Sequence, residues 1–381
     1  MAIILPILTV LWASFMYYRA NLLLTLYYNA PARLESINRI GNFEIRFTDL
    51  IRNCEDIYLD EKDGFALLSC DPGRDEWNTV MGTFVNSVSP PETGIYIYKY
   101  AEDGASPQQL TFSPPKDAPF HPLGIEYHPE SQTLFVINHA PPQSTIESYH
   151  VDIQSNTAEF QKVIHDAQLL NTPNSIAAVS NTELFVTNDH YFRAVANPLL
   201  AKIESYAGIP GGGVAWVKYD RDQVRSESLL HLPFANGIAL LNATTLAVSS
   251  STTASVRLYS IDRSEDVPKL SSLTSFTVPF LPDNLSVDGN GKLLVAGHPH
   301  APSLEIVARN NGACLKGGQE SEEVCKAHRL SRFAEWTEED GVKTLYSGSE
   351  FGSSTTAVRD VTRGVGFVTG LYQRGLLVWK E

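Results

Sequence analysis

Six oxygen-bearing side chains recur at one point of a repeated pattern: Glu55, Asp56, Asn174, Asn236, Asp283 and Asn284. Carboxylates mixed with side-chain amides make a hard donor set. Calcium takes about six to eight such oxygens in flexible geometry, whereas zinc favours His or Cys and magnesium needs a more regular cage. Any one of these residues alone is an ordinary turn former. Their recurrence in phase is what points to a cation.

The elements that must position them are short β runs. After residue 40 there is little helical periodicity, and strands such as Gly94-Ile-Tyr-Ile-Tyr-Lys-Tyr100 and Thr133-Leu-Phe-Val-Ile-Asn138 alternate with turn residues. One unit recurs: a turn with Asn, Asp or Gly, small apolar residues, a hairpin, then a strand ending in a polar residue. Anchoring it at Asp56, Leu123, Asn174, Asn236, Asn284 and Thr356 gives steps of 67, 51, 62, 48 and 72 residues. A four-stranded blade needs about 40 to 50 residues, so the spacing predicts an all-β, six-bladed β-propeller with variable insertions over residues 40–381. In a propeller, equivalent turn residues share one radius. They therefore converge at the mouth of the central channel.

The rest of the chain bounds the setting. There are 29 Lys and Arg against 43 Asp and Glu, a net charge of −14, so no basic stripe is available for nucleic acid. Residues 1–28 form an N-terminal hydrophobic segment, uncharged from Ala2 to Tyr18. It predicts a signal-anchor that would place the protein on a membrane, with a signal peptide cleaved near Asn29-Ala30-Pro31-Ala32 as the alternative. Either reading sends the chain into the secretory pathway, membrane-anchored or secreted. Cys314 with Cys325, and Cys54 with Cys70, are expected to form disulfides; none of the four has zinc or redox spacing. Asn242-Ala243-Thr244 is a glycosylation acceptor pattern in a predicted hairpin turn, making the chain a candidate glycoprotein. Gly211-Gly-Gly213 is no phosphate loop and is expected between the third and fourth blades, with Tyr206 and Trp216 at a substrate entrance.

The chain resembles the serum paraoxonase/arylesterase family of calcium-dependent lactonases. The matching segments, in order, are Glu55-Asp56, Asn138-His139, Thr187-Asn-Asp-His-Tyr-Phe192, Phe234-Ala-Asn-Gly-Ile238, Asp283-Asn-Leu-Ser-Val-Asp288 and Gly297-His-Pro299. The resemblance implies a six-bladed propeller with two calcium ions in its tunnel. A catalytic ion would be held by Glu55, Asn174, Asn236, Asp283 and Asn284. A deeper structural ion would use Asp56 and the backbone oxygen of Ile125. Asp283 and His139 would be the catalytic residues, and the substrate a small lactone or aryl ester. A gluconolactonase-like or strictosidine-synthase-like enzyme, and a non-catalytic calcium-stabilised scaffold, are the alternatives.

The chain departs from that pattern at three places. Leu123 stands where the family has a catalytic histidine, which leaves His139 unpaired; His121, two positions away, is the candidate replacement. Ser175 stands where the family has an aspartate of the structural ion site. The chain ends Gly375-Leu-Leu-Val-Trp-Lys-Glu381 without a cysteine, so ring closure is expected to rest on strand pairing alone or on a rearranged bridge.

Overall fold

The computed structural model describes residues 4–113, 119–221, 223–315 and 319–381. Six antiparallel sheets of four main strands stand around one axis. From axis to rim, blade 1 is Cys54–Asp60, Phe65–Cys70, Gly94–Tyr98 and Gln108–Gln109. Blade 2 is Pro122–His128, Thr133–Asn138, Thr145–Asp152 and Thr157–Ile164. Blade 3 is Pro173–Ser180, Glu183–Asn188, Gly212–Tyr219 and Val224–Leu232. Blade 4 is Ala235–Asn242, Thr245–Ser250, Ser255–Asp262 and Lys269–Thr277. Blade 5 is Leu281–Val287, Leu293–His298, Ser331–Thr337 and Gly341–Gly348. Blade 6 is Ser354–Asp360, Val365–Gly370 and Leu376–Lys380, completed by Phe43–Arg46 from the start of the chain. The first strands touch one another in ring order, blade 6 returning to blade 1.

The apolar runs follow from this geometry. Both faces of every sheet are covered by a neighbouring blade, and side chains alternate between faces along a strand. Leu134 and Val136 therefore enter the core between blades 1 and 2, while Phe135 and Ile137 enter the core between blades 2 and 3. The same division holds in blade 5, where Leu293 and Val295 face blade 4 and Leu294 and Ala296 face blade 6. A strand that must satisfy two cores reads as uninterrupted hydrophobic sequence.

Ring closure is by strand pairing, as expected: Phe43 to Arg46 pair antiparallel with Trp379 to Leu376. The disulfides Cys54–Cys70 and Cys314–Cys325 both form. Blades 5 and 6 are also joined by Arg359, which is buried. Its guanidinium donates to Asp288 Oδ2 (2.9 Å), Glu335 Oε2 (3.0 Å) and Glu381 Oε1 (3.1 Å). Removing one member of a buried ion cluster strands the others, so Arg359→Ala is expected to cost about 3–5 kcal/mol in denaturant unfolding. An unchanged midpoint would show that water replaces the guanidinium.

Irregular steps between repeats come from insertions after second strands. The helix Pro198–Ala207 interrupts blade 3, and the helices Ala301–Leu315 and Gln319–His328 interrupt blade 5. The Gly211–Gly213 run accordingly lies inside blade 3, where it opens the third strand, and not between blades 3 and 4. Trp216 belongs to the core of that strand, fully buried with its indole N–H on Glu183 Oε1 (2.7 Å). Only Tyr206 of the two expected entrance residues faces a cavity.

The N-terminal segment packs against the propeller. It forms a helix, Ile4–Tyr28, but among the described residues no helix is long and apolar enough to cross a membrane. Its polar residues are used against the propeller instead. Tyr18 OH donates to Gly208 O (2.7 Å), buried Arg19 to Thr252 O (2.8 Å), and Asn21 to Thr253 O (2.7 Å). Asn29 follows with a bond to Pro279 O (2.8 Å). The second half of the helix thus docks across one end of the tunnel.

Candidate active site

Every innermost strand carries an irregularity at the same place. Register shifts fall between Cys54 and Asp56, Pro122 and Ile125, Pro173 and Ile176, Ala235 and Ile238, Pro282 and Leu285, and Ser354 and Ala357. A bulge inserts a residue that the partner strand does not pair, and so re-aims side chains. Here the bulged residues are Glu55, Leu123 with Gly124, Asn174 with Ser175, Asn236 with Gly237, Asp283 with Asn284, and Thr355 with Thr356. Neighbouring bulges approach so closely that a Cβ on Gly124 would lie 2.3 Å from Asn174 O. One on Gly237 would lie 2.6 Å from Asn284 Cα. Glycine follows the axial residue in blades 2 and 4 for that reason.

The axial side chains are buried, yet four of their oxygens lack any hydrogen-bond donor: Glu55 Oε2, Asn174 Oδ1, Asn236 Oδ1 and Asn284 Oδ1. Buried polar atoms are rarely left so. The amides are oriented by their nitrogens. Asn284 Nδ2 donates to Glu55 Oε1 (2.9 Å) and Thr356 Oγ1 (3.0 Å), and Asn236 Nδ2 donates to Ser251 Oγ (3.0 Å). Burial, with Asp56 and Asp283 beside it, holds the Glu55 carboxyl well above the ordinary range. The charge chemistry of this donor set fits a bound cation, which would satisfy all four oxygens and relieve the repulsion. Among the described residues no three His, Cys, Asp or Glu side chains are grouped for a metal; the converging oxygens are mostly amides.

Glu55, Asn174, Asn236 and Asp283 open into a cavity of about 350 Å³. Its walls are mainly apolar, with Leu22 of the N-terminal helix, Met81, Leu123, Phe234 and Leu304 among them. His298 also lines it. His298 Nε2 lies 2.9 Å from Asp283 Oδ2, and its Nδ1 is buried without a partner. Since a carboxylate only accepts, Nε2 carries the proton and Nδ1 keeps a free lone pair.

The other histidines are placed differently. His139 borders a smaller neighbouring cavity, with Nε2 2.7 Å from Pro173 O and Nδ1 against Thr79 Oγ1. Burial pulls its pKa down to about 4, so it is neutral at physiological pH. His121 does not replace the histidine missing at Leu123. Its Nδ1 is 2.9 Å from Asp71 Oδ2 and its Nε2 is 3.0 Å from Ser87 O. Both nitrogens are committed away from the axis.

At the far end of the tunnel a second cavity of about 210 Å³ is lined by Asp56, Glu126, Ser175 and Asn284. Asp56 and Ile125 meet there through the Ile125 N–H, which donates to Asp56 Oδ2 (2.9 Å). Thr356 Oγ1 and Ile57 N donate to Asp56 Oδ1 (both 2.9 Å). Burial raises Asp56 to about 6, and burial together with Asp56 raises Glu126 to about 8.

The arylesterase family profile matches residues 83–316. That is more than half of the chain. It belongs to the arylesterase family. Serum paraoxonase/arylesterase 2 of the dog (Canis lupus familiaris) is 30% identical over 268 residues, covering 68% of each chain. Serum paraoxonase/arylesterase 1 of the mouse (Mus musculus) is 31% identical over 186 residues, 48% of this chain and 50% of the relative. Among solved structures, a gluconolactonase from Xanthomonas campestris aligns with TM-score 0.51 at 14% identity, covering 91% of this chain and 93% of its own. At that identity the likeness concerns the propeller fold alone.

Within this arylesterase-family chain, sequence reasoning placed the axial oxygens but passed over much of the cavity wall. Glu126, an acid inside an apolar strand, was a readable signal. So was the helix Pro198–Ala207, with proline at its start and Gly208 at its end in a left-handed conformation. The wall from Val80 to Thr83, contributed by an insertion of blade 1, carries no periodic signal at all.

Proposed function

We propose that this protein is a calcium-dependent hydrolase of lactones and aryl esters, with its active centre where the propeller axis meets the apolar cavity. The observation that carries the reading is the set of four buried, donorless oxygens converging from blades 1, 3, 4 and 5. Glu55, Asn174, Asn236, Asp283 and Asn284 would hold the ion. Bound calcium supplies Lewis-acid polarisation of the substrate carbonyl and stabilisation of its oxyanion. The chain's own residues do the rest. Leu123, Phe234 and Leu304 exclude bulk water and take the apolar part of the substrate. His298 Nδ1 accepts a proton from a cavity water as its oxygen attacks the carbonyl, and returns it to the departing alkoxide. Asp283 fixes the ring's tautomer and stabilises the imidazolium. His139 only shapes the wall behind this centre. At the lower end, Asp56 and Glu126 are the carboxylates that would face a second, structural ion, with Ser175 offering only a hydroxyl.

Metal analysis of the purified protein, together with turnover of aliphatic lactones, tests the reading. A chelator is expected to lower turnover at least about 100-fold, and added calcium to restore it. Full turnover in chelator, with no bound metal, would dismiss it.

The membrane enters this proposal as a surface, in a secretory setting consistent with the two disulfides. Val10, Trp12 and Tyr17 of the N-terminal helix are exposed, as are Leu199 and Ile203 on the helix Pro198–Ala207. Together they make an apolar rim suited to lie on a lipid interface. Trp12 fluorescence is expected to shift to the blue on adding phosphatidylcholine vesicles. No shift and no co-sedimentation would remove this part.

A further inference from the structure

A second set of reacting groups lines the same cavity, away from the axis. Ser205 Oγ, on the helix Pro198–Ala207, lies 2.6 Å from His190 Nε2. The other ring nitrogen, His190 Nδ1, lies 3.0 Å from Asp189 Oδ1. Asp189 and His190 are buried, while Ser205 and His190 both line the cavity. We propose that Ser205, His190 and Asp189 form an acyl-transfer triad, giving the protein a serine-nucleophile activity toward esters of short apolar acids.

The tautomer follows from the partners. Asp189 can only accept from His190 Nδ1, so the neutral ring carries its proton there and presents a bare Nε2. The Ser205 hydroxyl then has to donate to Nε2, which is the orientation a nucleophile needs before attack. When the ring is protonated, the hydroxyl turns instead to Ala201 O, 3.0 Å away.

The arrangement is held on every side. Thr172 Oγ1 donates to His190 O (2.6 Å), and the Phe234 ring lies 4.5 Å from the imidazole. Glu204, buried and adjacent to Ser205, accepts from Tyr191 N (2.8 Å) and Phe192 N (3.0 Å). That carboxylate pins the helix to the loop that carries His190, which makes Glu204 a positioning residue. Burial pulls the His190 pKa down, but Asp189 and then Glu204 more than reverse it. An imidazolium formed during acyl transfer is therefore stabilised where it stands.

The chemistry closes without another reactant. Ser205 Oγ bonds to the acyl carbon as its proton passes to His190 Nε2. The bond to the alkoxy or phenoxy group breaks, and that group leaves with the proton. Water, deprotonated by His190, then cleaves the Ser205 ester, releasing the acid and restoring the hydroxyl.

The test uses the full chain, chelated so that the axial route is off, with circular dichroism confirming the fold. Phenyl acetate is added, the reaction is quenched in acid, and the intact and digested protein are weighed. One acetyl group on the peptide containing Ser205 is expected, absent in Ser205→Ala. His190→Asn is expected to slow acylation at least about 100-fold. Ser205→Cys, which keeps a nucleophile, is expected to carry the acetyl group on sulfur. A folded wild-type chain with no acetyl group at Ser205, or a Ser205→Ala chain acylated as fast, overturns the proposal. Chelator-sensitive lactone turnover reads the axial centre separately, so either result stands without the other.

Discussion

Asp283→Asn is expected to lower lactone turnover by about 10³- to 10⁴-fold while the propeller stays folded. The substitution keeps size and leaves an oxygen available to a cation, but it reverses one hydrogen bond. In the native site the carboxylate accepts from His298 Nε2 at 2.9 Å. An amide nitrogen there donates to Nε2, which moves the ring proton to Nδ1 and removes the lone pair that Nδ1 holds in the native site. The imidazolium would also lose its counter-charge. Steady-state kinetics on a lactone, with a thermal melt alongside, check the result. Undiminished kcat in a folded Asp283→Asn protein would separate the Asp283–His298 pair from the chemistry. Loss of folding instead would be informative only for stability, so His298→Gln serves as the second variant. It should lose turnover similarly and leave the axial oxygens in place.

The second large effect concerns stability, and its sign differs between two conditions. A ligand bound to the folded chain alone, present at about a thousand times its Kd, adds about 4 kcal/mol. Calcium is therefore expected to raise the unfolding midpoint well above that in chelator. Glu55→Gln should split the two states. In chelator, Glu55 is buried beside Asp56 and Asp283, and losing its charge relieves both burial and repulsion. The variant is expected to be more stable than the parent there. With calcium present the same change removes a charged ligand, so the calcium-dependent gain should shrink. Thermal melts of both proteins, with and without the ion, give the four midpoints. A Glu55→Gln change that shifts the midpoint by the same amount with and without the ion would mean that Glu55 meets no cation.

The propeller and the oxygens on its axis were both legible in the sequence. The repeat showed because each blade must bury two faces, which forces the same apolar run six times. The donors showed because a bulge occupies the same position in each innermost strand, so their spacing tracks the blade. Leu123 was equally legible as the one apolar bulge residue in the set. Its consequence was not, because nothing local says whether His121, His139 or His298 turns toward the axis. Backbone bonds and Asp71 turn the first two away; Asp283 turns the third inward.

The sequence by itself thus determined the six-bladed ring and the axial oxygen set, and it pointed to both disulfides. The ring and its oxygens follow from a pattern repeated along the strands, and that pattern is written residue by residue. Tertiary structure alone decided the rest. It docked the N-terminal helix across the tunnel, because Arg19 and Asn21 find carbonyls on blade 4 that no hydropathy count contains. It brought Ser205 onto His190 from an insertion within blade 3, because Glu204 ties that helix to the preceding loop. Insertions have no period to read, so their contacts exist only once the ring has formed beneath them.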